Sequence, residues 1–270
     1  MSSPIHSSKL FADAIGVFDS GVGGLSVLRA IHDALPAENL VYVADSGHAP
    51  YGDKSEAYIT QRTLMIGNWL ASSGVKAITV ACNTATVVAI RYLREQTHIP
   101  VVAIEPAIKP AANNTRSGVV GVLATTQTLQ SESVARLCQE HGADKRILLQ
   151  ACPGWVEAVE QADLHSLQTE ALLLQFVEPL MEQGVDTLVL GCTHYPFLRD
   201  SLQRIVGNGV TLIDPAVAVA TELVRRLGDN RRTGANTIGT TRFFTTGEVA
   251  HVQHVVSHLW GDQAIVEAMA

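Results

Sequence analysis

Twice along this chain a run of aliphatic and β-branched residues ends in a cysteine followed at once by small polar residues. The first is Ala77-Ile78-Thr79-Val80-Ala81-Cys82-Asn83-Thr84 and the second is Thr187-Leu188-Val189-Leu190-Gly191-Cys192-Thr193-His194. Short apolar runs of this kind read as strands buried on both faces, the type found in parallel sheets covered by helices. In open α/β sheets the ligand crevice lies just beyond the carboxyl ends of the strands. The two thiols are therefore expected at two strand ends, from two parts of the chain, as a pair serving one active site.

The pattern around them repeats. Ala14–Phe18, Leu40–Ala44, Val75–Ala81 and Pro100–Ile104 read as strands, separated by helices over Leu25–Leu35, Ser55–Ser72 and Ala85–Gln96. The series restarts with strands at Gly118–Ala124, Arg146–Ala151, Val185–Leu190 and Val210–Ile213. Between these, a helix runs from Thr125-Thr126 to about His141, Val156–Glu160 begins a loop or helix, and a long helix covers Leu167–Gln183. Gly16 to Cys82 and Gly121 to Cys192 each run strand, turn, helix, strand, helix, strand over roughly 65–70 residues, which reads as an internal repeat.

This alternation predicts the α/β class: two similar three-layer α/β domains with mostly parallel sheets, related by a pseudo-twofold, with the active site between them. Residues 1–105 plus 217–270 are expected to form the first domain, carrying Asp19 and Cys82. Residues 106–216 are expected to form the second, carrying Glu160, Cys192 and His194. Beyond Asp214, a helix over Val217–Leu227, an exposed loop over Gly228–Thr241, an edge strand at Arg242–Thr246 and a helix over Glu248–Leu259 should pack back on the first domain. Met1–Lys9 reads as a disordered lead-in.

Bulk properties exclude several function classes. The chain has 270 residues, 47% apolar and 17% charged, which is ordinary globular composition. Its net charge of −7 lacks the basic balance of a nucleic-acid reader. No apolar run reaches the roughly 18 residues needed to span a bilayer, and no charged n-region with an apolar h-region marks a signal peptide. The four cysteines (Cys82, Cys138, Cys152 and Cys192) form no C-x-x-C pair, which argues against a zinc knuckle. A cytoplasmic location, where thiols stay reduced, is expected.

An isolated cysteine at a strand end usually behaves as a small hydrophobe, and Cys138 within Val134-Ala135-Arg136-Leu137-Cys138 keeps that reading. Cys82 and Cys192 differ because Asn83-Thr84 and Thr193-His194 follow them. Asn and Thr side chains, with the amides of a helix N-terminus, suit an amino acid's head group. Thiolates are bases and nucleophiles tuned by neighbouring groups, and Asp19, Glu160 and His194 are candidates to hold or relay their protons. Asp19-Ser20-Gly21-Val22-Gly23-Gly24 carries three glycines in four residues, expected to let the backbone turn tightly and approach a ligand. It matches neither the dinucleotide fingerprint nor a Walker loop. His251, His254 and His258 have a spacing that mimics a metal site, but they flank the apolar stripe of Val252, Val255, Val256 and Leu259 and read as a solvated edge.

These motifs together resemble the glutamate racemases of the cofactor-independent aspartate/glutamate racemase superfamily. The resemblance is carried by Gly16-Val17-Phe18-Asp19-Ser20-Gly21-Val22-Gly23-Gly24-Leu25, Ala44-Asp45-Ser46, Pro50-Tyr51-Gly52-Asp53-Lys54, Ala81-Cys82-Asn83-Thr84-Ala85, Glu105-Pro106, Gly191-Cys192-Thr193-His194-Tyr195-Pro196 and Ile213-Asp214-Pro215. It implies an isomerase that interconverts L- and D-glutamate for peptidoglycan synthesis without pyridoxal phosphate or metal. By that resemblance Cys82 exchanges the α-proton with D-glutamate and Cys192 with L-glutamate. Asp19 assists Cys82, while Glu160 and His194 assist Cys192. Ser20, Asn83, Thr84 and Thr193 bind the head group, and Tyr51 and Gly52 lie in the loop that receives the side-chain carboxylate. Glu157 stands one turn before Glu160 and leaves the helper carboxylate open between the two. The implied partner is a small-molecule substrate, and a homodimer is left open. The alternatives are a superfamily member acting on aspartate or a hydantoin, and a non-catalytic amino-acid-binding protein.

Overall fold

The computed structural model of the protein describes residues 10–142, 144–234 and 237–269. The expected lead-in, residues 1–9, lies outside them. The first half runs β1 (Ile15–Asp19), α1 (Leu25–Ala34), β2 (Leu40–Ala44), α2 (Glu56–Ser72), β3 (Ala77–Val80), α3 (Asn83–Gln96), β4 (Val101–Ala103) and α4 (Ile108–Asn114). The second half runs β5 (Val119–Ala124), α5 (Thr126–Leu129), α6 (Glu132–His141), β6 (Arg146–Ala151), α7 (Trp155–Glu160), α8 (Leu167–Glu182), β7 (Thr187–Leu190), α9 (Arg199–Val206) and β8 (Thr211–Ile213). The chain then returns through α10 (Ala216–Leu227), β9 (Thr241–Thr245), α11 (Val249–Leu259) and β10 (Val266–Ala268).

Two sheets result. The first has strand order β10-β9-β2-β1-β3-β4 and the second β6-β5-β7-β8. All their pairings are parallel. The inner path β2-β1-β3-β4 repeats as β6-β5-β7-β8, so the repeat read from sequence is a repeat of topology. In each half the chain leaves the first strand to one side and comes back on the other. The loops after the first and third strands therefore diverge and leave a crevice, the usual ligand site of such sheets. Asp19 and Cys82 follow β1 and β3; Thr125 and Cys192 follow β5 and β7.

Helices cover both faces of the first sheet. Leu25, Val27, Leu28 and Ile31 of α1 are fully buried in one core with Val219, Ala220 and Leu223 of α10. Ile59, Ile66 and Leu70 of α2 pack with Leu93 of α3 against Phe18, Ile78 and Val80 in another. Capping fixes where helices begin: Ser55, Ser131 and Ser166 each accept a backbone N–H from the first turn of α2, α6 and α8. The helix expected from Thr125 to His141 is broken in two for this reason. The Ser131 hydroxyl donates to Thr128 O at 2.7 Å and also accepts the Val134 N–H, ending α5 and starting α6. The segment Arg242–Thr246, expected at the sheet edge, forms an interior strand. Val266 pairs with Phe243 and Ala268 with Thr245 on its outer side. Val266-Glu267-Ala268 is too short and too polar to have signalled a strand.

The described parts of the Gly228–Thr241 loop, residues 228–234 and 237–241, lie at the amino ends of the strands, opposite the thiols. Lys76 Nζ donates to Asn230 O at 2.8 Å, the Arg232 N–H to Glu38 Oε1 at 2.8 Å, and the Gly239 N–H to Pro36 O at 2.8 Å. Its role is thus to strap β9 beside β2. A Cβ at Gly239 would overlap the Glu38 carbonyl oxygen. Gly239→Ala should therefore lower stability by about 1–3 kcal/mol, the usual cost of an overpacked contact. Urea unfolding measures this, and an unchanged midpoint would show that the strap yields freely.

Candidate active site

The glycines after β1 turn the chain tightly into α1, as expected: the Leu25 N–H donates to Val22 O and the Ser26 N–H to Gly23 O, each at 3.1 Å, without positive φ at Gly21, Gly23 or Gly24. They also make room. A Cβ at Gly21 would overlap Glu160 Oε1, one at Gly23 would overlap His194 Nδ1, and one at Gly24 would come within 2.6 Å of Asp19 Cβ. At Gly21 and Gly23 the close approach is thus to side chains of the second half, and at Gly24 to Asp19 and Tyr42 of the first sheet. Gly154 is the glycine whose backbone conformation matters: its φ of +86° starts α7. That helix is anchored by buried Trp155, whose ring meets Tyr195 at 4.8 Å.

The two thiols border one cavity. Ser20, Tyr51, Gly52, Cys82, Asn83, Thr84, Cys192, Thr193 and His194 all line it, together with Pro50, Thr125 and Val156. Its volume is about 10 Å³, room for about one water molecule. A larger open depression of about 670 Å³ beside Glu56, Arg91 and Arg136 shares none of these residues.

On one side, Cys82 caps α3. Its Sγ accepts the Ala85 N–H at 3.4 Å and lies 3.5 Å from Ser20 Oγ. Burial, and then the charge of Asp19, hold this thiol well above the usual cysteine range. Asp19 is itself fully buried, which raises its carboxyl pKa. Its Oδ2 accepts the Gly24 N–H at 2.8 Å and the Thr193 hydroxyl at 3.3 Å, while Oδ1 has no partner. Both amide atoms of Asn83 are likewise buried without partners. Such groups cost free energy unless something polar meets them.

On the other side, Cys192 Sγ lies 3.7 Å from His194 Nδ1, and His194 Nε2 lies 2.6 Å from Glu160 Oε1. Glu160 Oε1 also accepts the Val22 N–H at 2.7 Å. Burial pulls the His194 pKa down, but the hydrogen bonds to Cys192 and Glu160 outweigh it and raise it well above the ordinary value. Protonated, the imidazole donates toward both. Neutral at Nε2, it can instead accept the Gly23 N–H, 3.2 Å away. Of the two glutamates on α7, Glu160 makes this contact and Glu157 faces solvent.

Thr125 and Thr128 were not singled out in the sequence. The Thr84 hydroxyl lies 3.0 Å from that of Thr125 and 3.3 Å from that of Thr128, so the second sheet's loops close over the head of α3. The signal for Thr125 was available: it follows β5 as Ser20 follows β1. His251, His254 and His258 are exposed along α11. Among the described residues no group of three or more His, Cys, Asp or Glu side chains is placed to hold a metal ion, and no helix is long and apolar enough to cross a membrane.

This geometry has counterparts among known proteins. The Asp/Glu/hydantoin racemase family profile matches residues 15–223. A glutamate racemase of Stutzerimonas stutzeri (strain A1501) is 51% identical over 257 residues, covering 95% of this chain and 97% of that one. The crystal structure of glutamate racemase isoform RacE1 from Bacillus anthracis superposes with a TM-score of 0.86 at 33% identity, covering 96% of this chain and 98% of that chain. Escherichia coli glutamate racemase, in complex with L-glutamate and the activator UDP-MurNAc-Ala, gives 0.82 at 30% identity, covering 96% and 99%.

The raised His194 pKa makes a statement about stability. A histidine whose folded pKa exceeds its unfolded value of about 6.5 contributes stability that is fully present below that value. This contribution is lost as pH rises through the folded pKa. The stability gap between the parent protein and His194→Gln should therefore be wider at pH 6 than in alkaline buffer, as read by urea unfolding across pH. A gap that widens with rising pH would mean that His194 is held neutral.

Proposed function

Because the chain belongs to the Asp/Glu/hydantoin racemase family, among its glutamate racemases, we propose that it interconverts L- and D-glutamate by passing the α-proton between Cys82 and Cys192. The observation that carries this reading is that both thiols border one cavity, each from the strand end of a different sheet. Inversion at an α-carbon needs a base on one face and an acid on the other. Two tuned thiols exchange these roles as the direction reverses, and they titrate as a coupled unit.

Cys82 takes the proton from D-glutamate, with Asp19 beside it. Cys192 takes it from L-glutamate, with His194 and Glu160 as its relay. The unpartnered Asp19 Oδ1 and Asn83 amide meet the substrate's head group, with Ser20, Thr84 and Thr193 completing its shell. The amides at Tyr51 and Gly52 receive the side-chain carboxylate. The acid–base roles are thus all filled by side chains of this chain. A cavity with room for about one water admits glutamate only when the two sheets part. The contacts that must break include Val22 to Glu160, Thr193 to Asp19, and the Ser26 hydroxyl to Thr193 O at 3.0 Å.

The proposal takes residues 1–105 with 217–270 as one moving domain and 106–216 as the other, which the membership of the two sheets supports. It assigns the enzyme to the cytoplasm, supplying D-glutamate for peptidoglycan. The muramic-acid nucleotide bound by the Escherichia coli relative supports that placement in metabolism.

Glutamate should racemise in both directions and aspartate at least about tenfold more slowly, because the shorter side chain leaves its carboxylate short of the Tyr51-Gly52 amides. Circular dichroism of each amino acid with purified enzyme measures both, and comparable rates would move the assignment to a broader substrate class.

Replacing either thiol separates the two half-reactions. Cys82→Ala and Cys192→Ala should each lose about 10²–10⁴-fold in racemisation, the usual contribution of a general acid or base. Cys82→Ala should retain only proton removal from the L enantiomer, and Cys192→Ala only from the D enantiomer. A glutamate analogue with chloride on the β-carbon reads this out, since elimination needs only the first proton removal. If both variants prefer the same enantiomer, the two-thiol assignment is wrong.

A further inference from the structure

Asp45 follows β2 and is fully buried, yet the roles assigned above leave it unused. Its carboxylate accepts four hydrogen bonds from three segments. Arg62 on α2 donates from Nε to Oδ2 at 2.9 Å and from Nη2 to Oδ1 at 2.6 Å. The Tyr51 hydroxyl donates to Oδ2 at 2.6 Å, and the Thr246 hydroxyl, just past β9, donates to Oδ1 at 2.6 Å. Thr246 Oγ1 also accepts the Gly47 N–H at 3.3 Å.

The place of this hub gives it meaning. Tyr51 is the one buried residue in the stretch Ser46–Lys54, whose other members are half-buried or exposed. Its hydroxyl ties the far end of that stretch to Asp45, as the Gly47 N–H ties the near end to Thr246. Burial, then the charge of Asp45, push the Tyr51 pKa far above the usual phenol range, so the hydroxyl stays a donor. Arg62 is the group that makes a buried carboxylate tolerable, because its planar fork satisfies both oxygens at once. Pro50, Tyr51 and Gly52 line the cavity, and a Cβ on Gly52 would stand 3.1 Å from Thr125 Cβ of the second sheet's loop. A small displacement of this loop changes the seat it offers, and misplacement by about 1 Å can cost about a hundredfold in a site of this kind.

We propose that Arg62 and Thr246 are positioning residues that act through Asp45 and Tyr51 to fix the Pro50–Gly52 loop as the seat of the substrate's side-chain carboxylate. This rests on the glutamate reading above. It brings α2 and the C-terminal segment into the specificity of a site that neither of them touches.

The test compares two substrates on Arg62→Met, Arg62→Lys and Thr246→Val. Glutamate uses the seat. β-Chloroalanine shares the head group and the α-proton but has no side-chain carboxylate, and its elimination is read as pyruvate. Arg62→Met should raise KM for glutamate about tenfold or more, with a smaller change in kcat, and leave kcat/KM for β-chloroalanine within about threefold of the parent. Arg62→Lys, which keeps the charge but loses the fork, should recover part of the glutamate KM. Thr246→Val removes one hydroxyl from an otherwise intact chain and should shift KM in the same direction by about threefold, so it carries the test if Arg62→Met does not fold. Equal losses on both substrates would reduce the hub to a structural support and overturn the proposal. So would an unchanged glutamate KM in the folded variants. A parent enzyme inert on glutamate would instead overturn the glutamate reading, and this inference with it, before any variant is measured.

Discussion

Glu160 Oε1 lies 2.6 Å from His194 Nε2 while accepting the Val22 N–H at 2.7 Å. This one oxygen joins the loop after β1 to the strand end after β7, and the geometry around the cavity depends on it. Two glycines clear the path for it: without space at Gly21 and Gly23, neither Glu160 nor His194 could reach the first sheet. The Ser26–Thr193 and Thr193–Asp19 hydrogen bonds close the same seam from the side. These hydrogen bonds run beside a continuous apolar cluster, in which Val22 and Leu25 of the first half share a core with Val159 and Tyr195 of the second.

The electrostatics of the closed state follow from burial. Burial pushes the Asp19 carboxyl and the Cys82 thiol, at 0% and 3% exposure, toward their neutral forms; the charge of Asp19 adds to this at the thiol, while the charge of His194 offsets part of it at Asp19. On the Cys192 side the imidazole, held between sulfur and carboxylate, is pushed toward its charged form instead. The two halves of the site are thus built for different resting protonation states, although the backbone beneath them follows one plan.

The sequence disclosed most of that plan because its informative residues sit at fixed places in it. Buried parallel strands announce themselves as apolar runs, and residues after a strand end are those that face a ligand. Cys82, Asn83, Thr84, Cys192, Thr193 and His194 were legible on those grounds alone. Glu160 was ambiguous with Glu157 because the choice depends on which face of a six-residue helix meets a strand end, and local pattern does not encode that. The glycines' tight turn was legible, but composition does not show which distant side chains fill the space they leave. Arg62 and Thr246 lie 17 and 201 positions from Asp45, and only the folded arrangement brings them together. The position of Thr246 follows from the pairing of β9 with β2, a contact between residues about 200 positions apart that local pattern does not encode.

The duplicated strand path has a further consequence for symmetry. Each half contributes one thiol at the same station of the same path, so in the two-thiol reaction proposed above either half alone would hold a base with no acid opposite it. Such a unit could borrow a proton and hand it back to the same face, leaving the configuration of the carbon as it found it. Two copies facing each other across a seam turn borrowing into transfer. The handedness of the substrate then becomes a record of which copy acted last, and a fold that repeats its own strand path can treat mirror-image molecules as two ends of a single path.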